Sequence, residues 1–352
     1  MSTTRGFRLL TVAVAALALA SGCSRADSRT GQAPAKNQGA AAEVRLGFFS
    51  NVTHAPALVG VKKEFLATEL GATKLSTQVF NAGPDEVNAL LGKSLDVAFI
   101  GSGPAINAFT KSEGEIQLIS GAVSGGAQLV VKPEIATPEQ LAGKTIATPQ
   151  LGNTQDVALK KWLSENKQTG RVNVANLDNP KTLDAFRKGE LHGGWLPEPW
   201  SSRLVLDAGA KVLLDEKNRW PGGDFPTTVI IVRKEFLQQH PQTVQALLKG
   251  QLAAIDWATA NQAEAKAVVN EAIKEFAGST MSPPVLDRAF SGIELTPDPN
   301  TALFPQLAQD SVTAGVVKAA ADLTGFVDLG PLNEALKALG KPPVDAAGLD
   351  KK

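Results

Sequence analysis

The chain has 352 residues, 43% of them hydrophobic, and its 35 basic side chains balance 35 acidic ones. That balance, with no basic stripe, excludes the electrostatic footprint of a nucleic-acid binder, and the single cysteine, Cys23, excludes any disulfide within the chain. With about 310 residues available to fold, the apolar content suffices for two lobes of ordinary size, each with its own core.

The first segment reads as an export leader. Arg5 and Arg8 precede an apolar run from Leu9 to Ala20, and the small residues Ser21 and Gly22 follow, which is the charged, apolar and small order of a secretory signal. The run is about 12 residues long, whereas a helix needs about 20 to cross a bilayer. The order Leu19, Ala20, Ser21, Gly22, Cys23 resembles a bacterial lipoprotein lipobox, departing from it only in having Ala20 where Leu, Val or Ile is usual. The resemblance implies that residues 1–22 are a signal peptide and that Cys23 is acylated. Residues 23–43 lack apolar periodicity and are expected to form a lipidated flexible tether, holding the protein to the extracytoplasmic face of the cell membrane.

From residue 44 short apolar strands alternate with amphipathic helices, the pattern of an α/β fold with mainly parallel sheets. A weak internal repeat runs through it. Val87 to Ile100 (VNALLGKSLDVAFI) aligns without a gap on Leu183 to Leu196 (LDAFRKGELHGGWL), each reading as helix, tight turn and buried strand. In that alignment His192 takes the slot that Asp96 fills in the other copy. The strand Val44 to Phe49 and its polar loop likewise match the strand Thr145 to Thr148 and the loop after it. Two similar lobes are therefore expected, joined by two hinge crossings at Gly125–Gly126 and Thr227–Thr228. Residues 44–126 and 231–345 would make lobe one and residues 127–230 lobe two. Thr137, Pro138 and Gln140 form a capping-box helix start. His240 and Pro241 open a helix whose apolar face is Val244, Leu247, Leu248, Leu252 and Ile255.

In an open parallel sheet, ligands sit beyond the carboxyl ends of the strands, where helices begin. The loops in that position here are Asn51 to His54, Asn81 to Pro84, Ser102 to Pro104, Asn153 to Gln155 and the turn at Glu198. They are rich in hydroxyl and amide side chains and contain no Lys or Arg. Helix N-termini carry unpaired N–H groups and a partial positive charge, so such loops suit a small oxyanion or a neutral polar ligand; each taken alone also serves as an ordinary cap or turn. The candidate contacts are Phe49, Asn51, Thr53, His54, Asn81, Ser102, Gly103, Asn153, Thr154, Gln155, Trp195, Glu198 and Thr227. Phe48, Phe99 and Trp200 are expected in the core. Trp195, at a strand end beside the cleft, is expected at the ligand, and Glu198 either complements a helix dipole or pairs with a cationic group on the ligand.

The segments LGFFSNVTHAPALVG, FNAGPDEVNALL, LDVAFIGSGPAINAF, GKTIATPQLGNTQDVAL, GGWLPEPW and WPGGDFPTT resemble the substrate-binding proteins of ABC importers in the aliphatic-sulfonate, taurine and nitrate group. The resemblance spans residues 44–345. It implies a two-lobed type II periplasmic-binding fold that closes on a small anionic ligand, an aliphatic sulfonate in the main reading, and docks on an ABC permease and its ATPase as a monomer. The same group includes binders of nitrate, bicarbonate, taurine and thiamine-precursor pyrimidines, and a sensor lipoprotein without a transporter would keep the same pocket. Catalysis is not expected. There is no GxSxG elbow and no HExxH or other metal spacing, and no cofactor or metal is implied. Pyrimidine-synthesising enzymes of this general fold carry clustered cysteines and histidines, which this chain lacks.

Overall fold

The computed structural model describes residues 36–351; the leader, Cys23 and most of the expected tether lie outside the described residues. Eleven strands form two sheets. The first contains β1 (Glu43–Phe49), β2 (Lys74–Phe80), β3 (Val97–Ile100), β4 (Ile116–Gly125), β10 (Pro226–Arg233) and β11 (Ile293–Leu295), in the order β11-β4-β10-β3-β1-β2. The second contains β5 (Ala127–Val131), β6 (Thr145–Thr148), β7 (Asn173–Asn176), β8 (Gly193–Pro197) and β9 (Lys211–Asp215), in the order β7-β6-β8-β5-β9.

Both sheets are built on one plan. In the first, β1 lies parallel between β2 and β3, and β10 runs antiparallel beside β3. In the second, β6 lies parallel between β7 and β8, and β5 runs antiparallel beside β8. The registers correspond as well, Leu46 opposing Val97 as Ile146 opposes Gly193. The reason is local: in each sheet a largely buried central strand connects through helices to an outer, more exposed strand and then to a buried one, and right-handed crossovers lay such strands side by side.

The chain leaves the first sheet at Gly125 and Gly126, both at positive φ (75° and 79°). A Cβ on Gly126 would also sit 2.3 Å from Ile293 Cγ2, so at this junction only glycine meets both the conformation and the space. The return differs from the sequence expectation. Thr227 and Thr228 belong to β10, where Thr228 opposes Val123 of β4, so the chain recrosses between Asp215 and Pro226. The four apolar residues Val229 to Val232 are buried throughout, which makes β10 a central strand and leaves the turn-rich WPGGDF segment as the connection.

Two further segments depart from expectation. Residues 38–41, placed in the tether by sequence, are fastened to the first lobe: Gln38 N donates to Gln239 O at 2.8 Å and Ala41 N to Thr243 Oγ1 at 2.8 Å. The C-terminal portion is not confined to the first lobe. The helix Phe304–Thr313 packs against both the Ser102–Lys111 helix of the first lobe and the Thr154–Glu165 helix of the second, and Lys161 pairs with Asp310 at 3.3 Å. The helix at His240 runs from Pro241 to Ala260 and buries the five apolar residues named above. The capping box at Thr137 is present, opening a 3-10 turn over Pro138–Leu141.

One buried acid stands apart from the ion pairs. Glu86, in the first turn of the helix Gly83–Leu91, is fully buried against Gly47, and neither of its carboxylate oxygens has a partner. Burial pushes its carboxyl well above the ordinary range. Its folded state therefore holds a proton that the unfolded chain releases above about pH 4.5, so the stability present below that pH is lost progressively as pH rises toward the folded value. Urea unfolding at pH 5 and pH 8 should show the wild type losing stability relative to Glu86→Gln as the pH rises. Parallel pH profiles for the two proteins would show that Glu86 is solvated.

Candidate functional site

The carboxyl ends of β1, β3, β6 and β8 point toward the space between the sheets. After Phe49 the chain turns through Asn51 into the 3-10 turn Val52–His54, and after Ile100 it enters the helix Ser102–Lys111 at Gly101. After Thr148 it passes Pro149 and Asn153 into the helix Thr154–Glu165, and β8 ends at Pro197. These ends enclose a cavity of ≈ 20 Å³ lined by Phe49, Asn51, Thr53, His54, Asn81, Gly101, Pro149, Asn153, Thr154, Gln155, Asn179, Pro197, Thr227 and Thr228. By the usual measure of about 10–15 Å³ per water, that is room for about one, so anything larger enters only as the lobes part.

Nine of the thirteen sequence candidates line this cavity: Phe49, Asn51, Thr53, His54, Asn81, Asn153, Thr154, Gln155 and Thr227. Ser102 and Gly103 stand one step behind it at the start of their helix. Gly103 N donates across the lobes to Thr154 Oγ1 at 3.2 Å, and Ser102 Oγ is buried without a partner. Trp195 lies elsewhere. Its ring is part of the second lobe's core, and its Nε1–H donates to Glu216 Oε2 at 3.2 Å, because successive strand residues face opposite ways and this one faces inward. Burial pushes the Glu216 carboxyl up to about 8, against the pull of that indole N–H.

Glu198 also lies behind the wall. Its Oε2 accepts from Ser202 N at 3.1 Å, and its Oε1 accepts from Arg288 Nη1 at 3.2 Å. Burial raises its carboxyl above the ordinary range, opposed by Ser202 and by the Arg288 guanidinium. Both sequence alternatives gave Glu198 too little: it complements the helix at Ser202 and is the countercharge of an arginine in its own chain. Arg288 sits on the helix Pro283–Ser291 and also donates to Ser202 Oγ and Gln128 Oε1, each at 2.6 Å.

The cavity is neutral in side-chain charge and biased toward donors. Asn51 Oδ1 accepts from Trp200 Nε1 at 2.6 Å, and Asn153 Oδ1 caps its helix by accepting from Gln155 N at 3.2 Å; each amide is left with its NH₂ group to offer. His54 Nδ1 accepts from Phe49 N at 3.3 Å. Its proton therefore resides on Nε2, and burial lowers its pKa to about 3, so the ring is neutral. Thr154 Oγ1 accepts from Gly103 N, leaving its hydroxyl proton free. Thr227 and Thr228 differ, having donated their protons to Gly125 O and Thr53 O. Two helix N-termini converge here, each equivalent to about half a positive charge.

Sequence reading missed Gly101, Pro149, Asn179, Thr228 and Arg288. Asn179 carried a usable signal: it follows the outer strand β7 of the second sheet as Asn81 follows the outer strand β2 of the first, so the repeat alone pointed to it. Arg288 carried none, being 90 residues from Glu198 in sequence.

The NMT1-like family model matches residues 37–274. The taurine-binding periplasmic protein of Escherichia coli is 32% identical over 203 residues, covering 56% of this chain and 62% of that protein; this chain thus matches less than two thirds of that relative's length. Among solved structures, the alkanesulfonate-binding protein SsuA from Xanthomonas axonopodis pv. citri superposes with a TM-score of 0.67 at 18% identity, over 80% of this chain and 96% of that one. The periplasmic nitrate-binding protein NrtA from Synechocystis gives 0.67 at 17% identity, over 86% and 90%. These likenesses show the two-lobed periplasmic-binding fold.

Removing Arg288 should strand a buried carboxylate. Breaking a buried pair costs about 3–5 kcal/mol, and since the Arg288 side chain is 24% exposed, solvent reduces this to about 2 kcal/mol. Chemical denaturation should show that loss for Arg288→Met and its recovery in Arg288→Met/Glu198→Gln. Additive losses in the double variant would mean that the two groups act independently.

Proposed function

Because this chain belongs to the NMT1-like family, we propose that it is the extracytoplasmic solute-binding component of an ABC importer, capturing a small organic monoanion between two closing lobes and delivering it to a permease. A short alkanesulfonate is the ligand class. The observation that carries this reading is the cavity itself, where neutral donors and two helix N-termini converge with no Lys or Arg in the lining. A sulfonate is a weakly basic oxyanion with three oxygens, which such a set of donors holds without a cation. The relatives named for taurine and alkanesulfonate support it.

Nitrate is the second reading. It is favoured by the narrowness of the cavity, ≈ 20 Å³, and by the likeness to a nitrate-binding protein. A ligand that binds only the folded form adds about 2.7 kcal/mol at a hundred times its dissociation constant, so thermal shift separates the readings. Ethanesulfonate and propanesulfonate should raise the melting temperature by several degrees, nitrate by less, and sugars and amino acids not at all. A response to nitrate alone would move the assignment to the second reading. Asn153→Asp keeps a good helix cap while placing a negative charge in the wall. It should leave the apo melting temperature nearly unchanged and weaken propanesulfonate about 30-fold or more, equivalent to about 2 kcal/mol.

Anchoring is part of the same proposal. Cys23 is the lipid attachment site, and the protein is a monomer held to the outer face of the membrane. Labelling of expressing cells with an alkyne fatty acid should tag the wild type and spare Cys23→Ser, which should be released from the membrane fraction. An unmodified Cys23 in the intact mass of the membrane-bound protein would refute the anchor.

A further inference from the structure

We infer that the ligand's non-acidic end is uncharged and carries one hydrogen-bond donor, a hydroxyl, which is read by Asn179 Oδ1; the site selects a hydroxyalkanesulfonate over its amino counterpart. The inference rests on the sulfonate reading above and deepens it. A zwitterion brings an ammonium that must find a negative partner once it leaves water, and no carboxylate lines the cavity. The acids around it are already engaged. Glu198 holds Arg288 and Ser202 N. Asp156 accepts from Thr148 Oγ1 and Gly152 N, and pairs with Lys160 at 2.7 Å. Asp85, outside the lining set, accepts from Gln150 Nε2 at 3.1 Å on the exposed rim. His54 is neutral and its Nδ1 is occupied.

The charge count agrees. Two helix ends of about +0.5 each balance one negative charge, which the sulfonate supplies; an added ammonium would restore an unbalanced positive charge inside a closed site. What the wall lacks is one donor. Asn179, 3% exposed, presents an Oδ1 that is buried without a partner, and a buried acceptor left unpaired is costly. Asn179 follows the second sheet's outer strand, whereas Asn51 and His54 follow the first sheet's β1. A hydroxyl meets that oxygen with a single O–H and leaves no charge behind.

Taurine, isethionate and propanesulfonate form the test set, because they share a sulfonate and a chain of similar length and differ in ending as ammonium, hydroxyl or methyl. Calorimetry at pH 7 should show isethionate binding at least 10-fold more tightly than taurine to the wild type. Asn179→Ala should weaken isethionate at least 5-fold while leaving propanesulfonate within about 2-fold. Asn179→Asp, which is isosteric and supplies the missing countercharge, should reverse the order and favour taurine over isethionate. Taurine binding the wild type as tightly as isethionate, or equal losses for all three ligands in Asn179→Ala, would overturn the inference and leave the sulfonate reading standing. Failure of all three to bind, with a response to nitrate, would remove the sulfonate reading and this inference with it.

Discussion

One of the two passages of the chain between the sheets is the junction at Gly125 and Gly126. There the chain changes sheets in a conformation that L side chains rarely adopt, and the space a Cβ on Gly126 would need is already held by Ile293, with Thr53 and Glu198 close by. The same few ångströms hold β11 against β4 and the Arg288 guanidinium against Glu198, Ser202 and Gln128. The crowding leaves no room for a side chain at this crossing. Arg288 adds a charged tie beside this junction.

Electrostatic economy follows from that geometry. A site that must release its ligand gains little from a buried arginine, because an arginine–anion pair in a low-dielectric space is strong and its desolvation is costly in the empty state. Neutral donors avoid both extremes. On the proposed reading, backbone N–H groups at helix starts and the side chains of Asn51, Asn153, His54 and Thr154 would hold an anion through many modest contacts, and each of these side chains is fixed beforehand by a bond made on its far side. The fixed charges that the fold needs, Arg288, Lys160 and their acids, lie one layer out and cancel locally. The proposed contacts come from both lobes at once.

The lobes were legible in the sequence because period and repeat are local signals. Strand ends, the loops after them and nine of the lining residues followed from placing apolar runs in an open sheet and asking what came next. The rest was lost for identifiable reasons. Trp195 and Leu196 face opposite sides of β8 and both sides are covered by core; only the strand's last residue, Pro197, reaches the cavity, and nothing local says where the covered part of the strand ends. The second crossing was misplaced because Thr227–Thr228 echoes a hinge in composition, whereas the pairing of β10 with β4 and β3, far away in sequence, decides where the strand begins. Arg288 belongs to a partnership that only the tertiary fold creates.

The repeat was worth more than its weak identity suggested. Asp96 and His192 occupy matching slots, and the structure gives them matching tasks. Asp96 Oδ2 accepts from Arg45 N at 2.9 Å, and His192 Nδ1 accepts from Thr145 N at 3.2 Å. Both slots present an acceptor to a backbone N–H of the central strand, a carboxylate in one lobe and an imidazole in the other. Asp96 gained two arginines, Arg45 and Arg233, whereas the pKa of His192 is lowered by partial burial and by Lys144 and Lys132 nearby. Equivalent backbone requirements with different side chains are what two lobes of common plan produce when each faces its own surroundings. The same logic separates Asn81 from Asn179, which hold matching places at the two outer strands. Only Asn179 has a buried oxygen without a partner, so the asymmetry between the two ends of a ligand is written where the repeat would otherwise make the lobes alike.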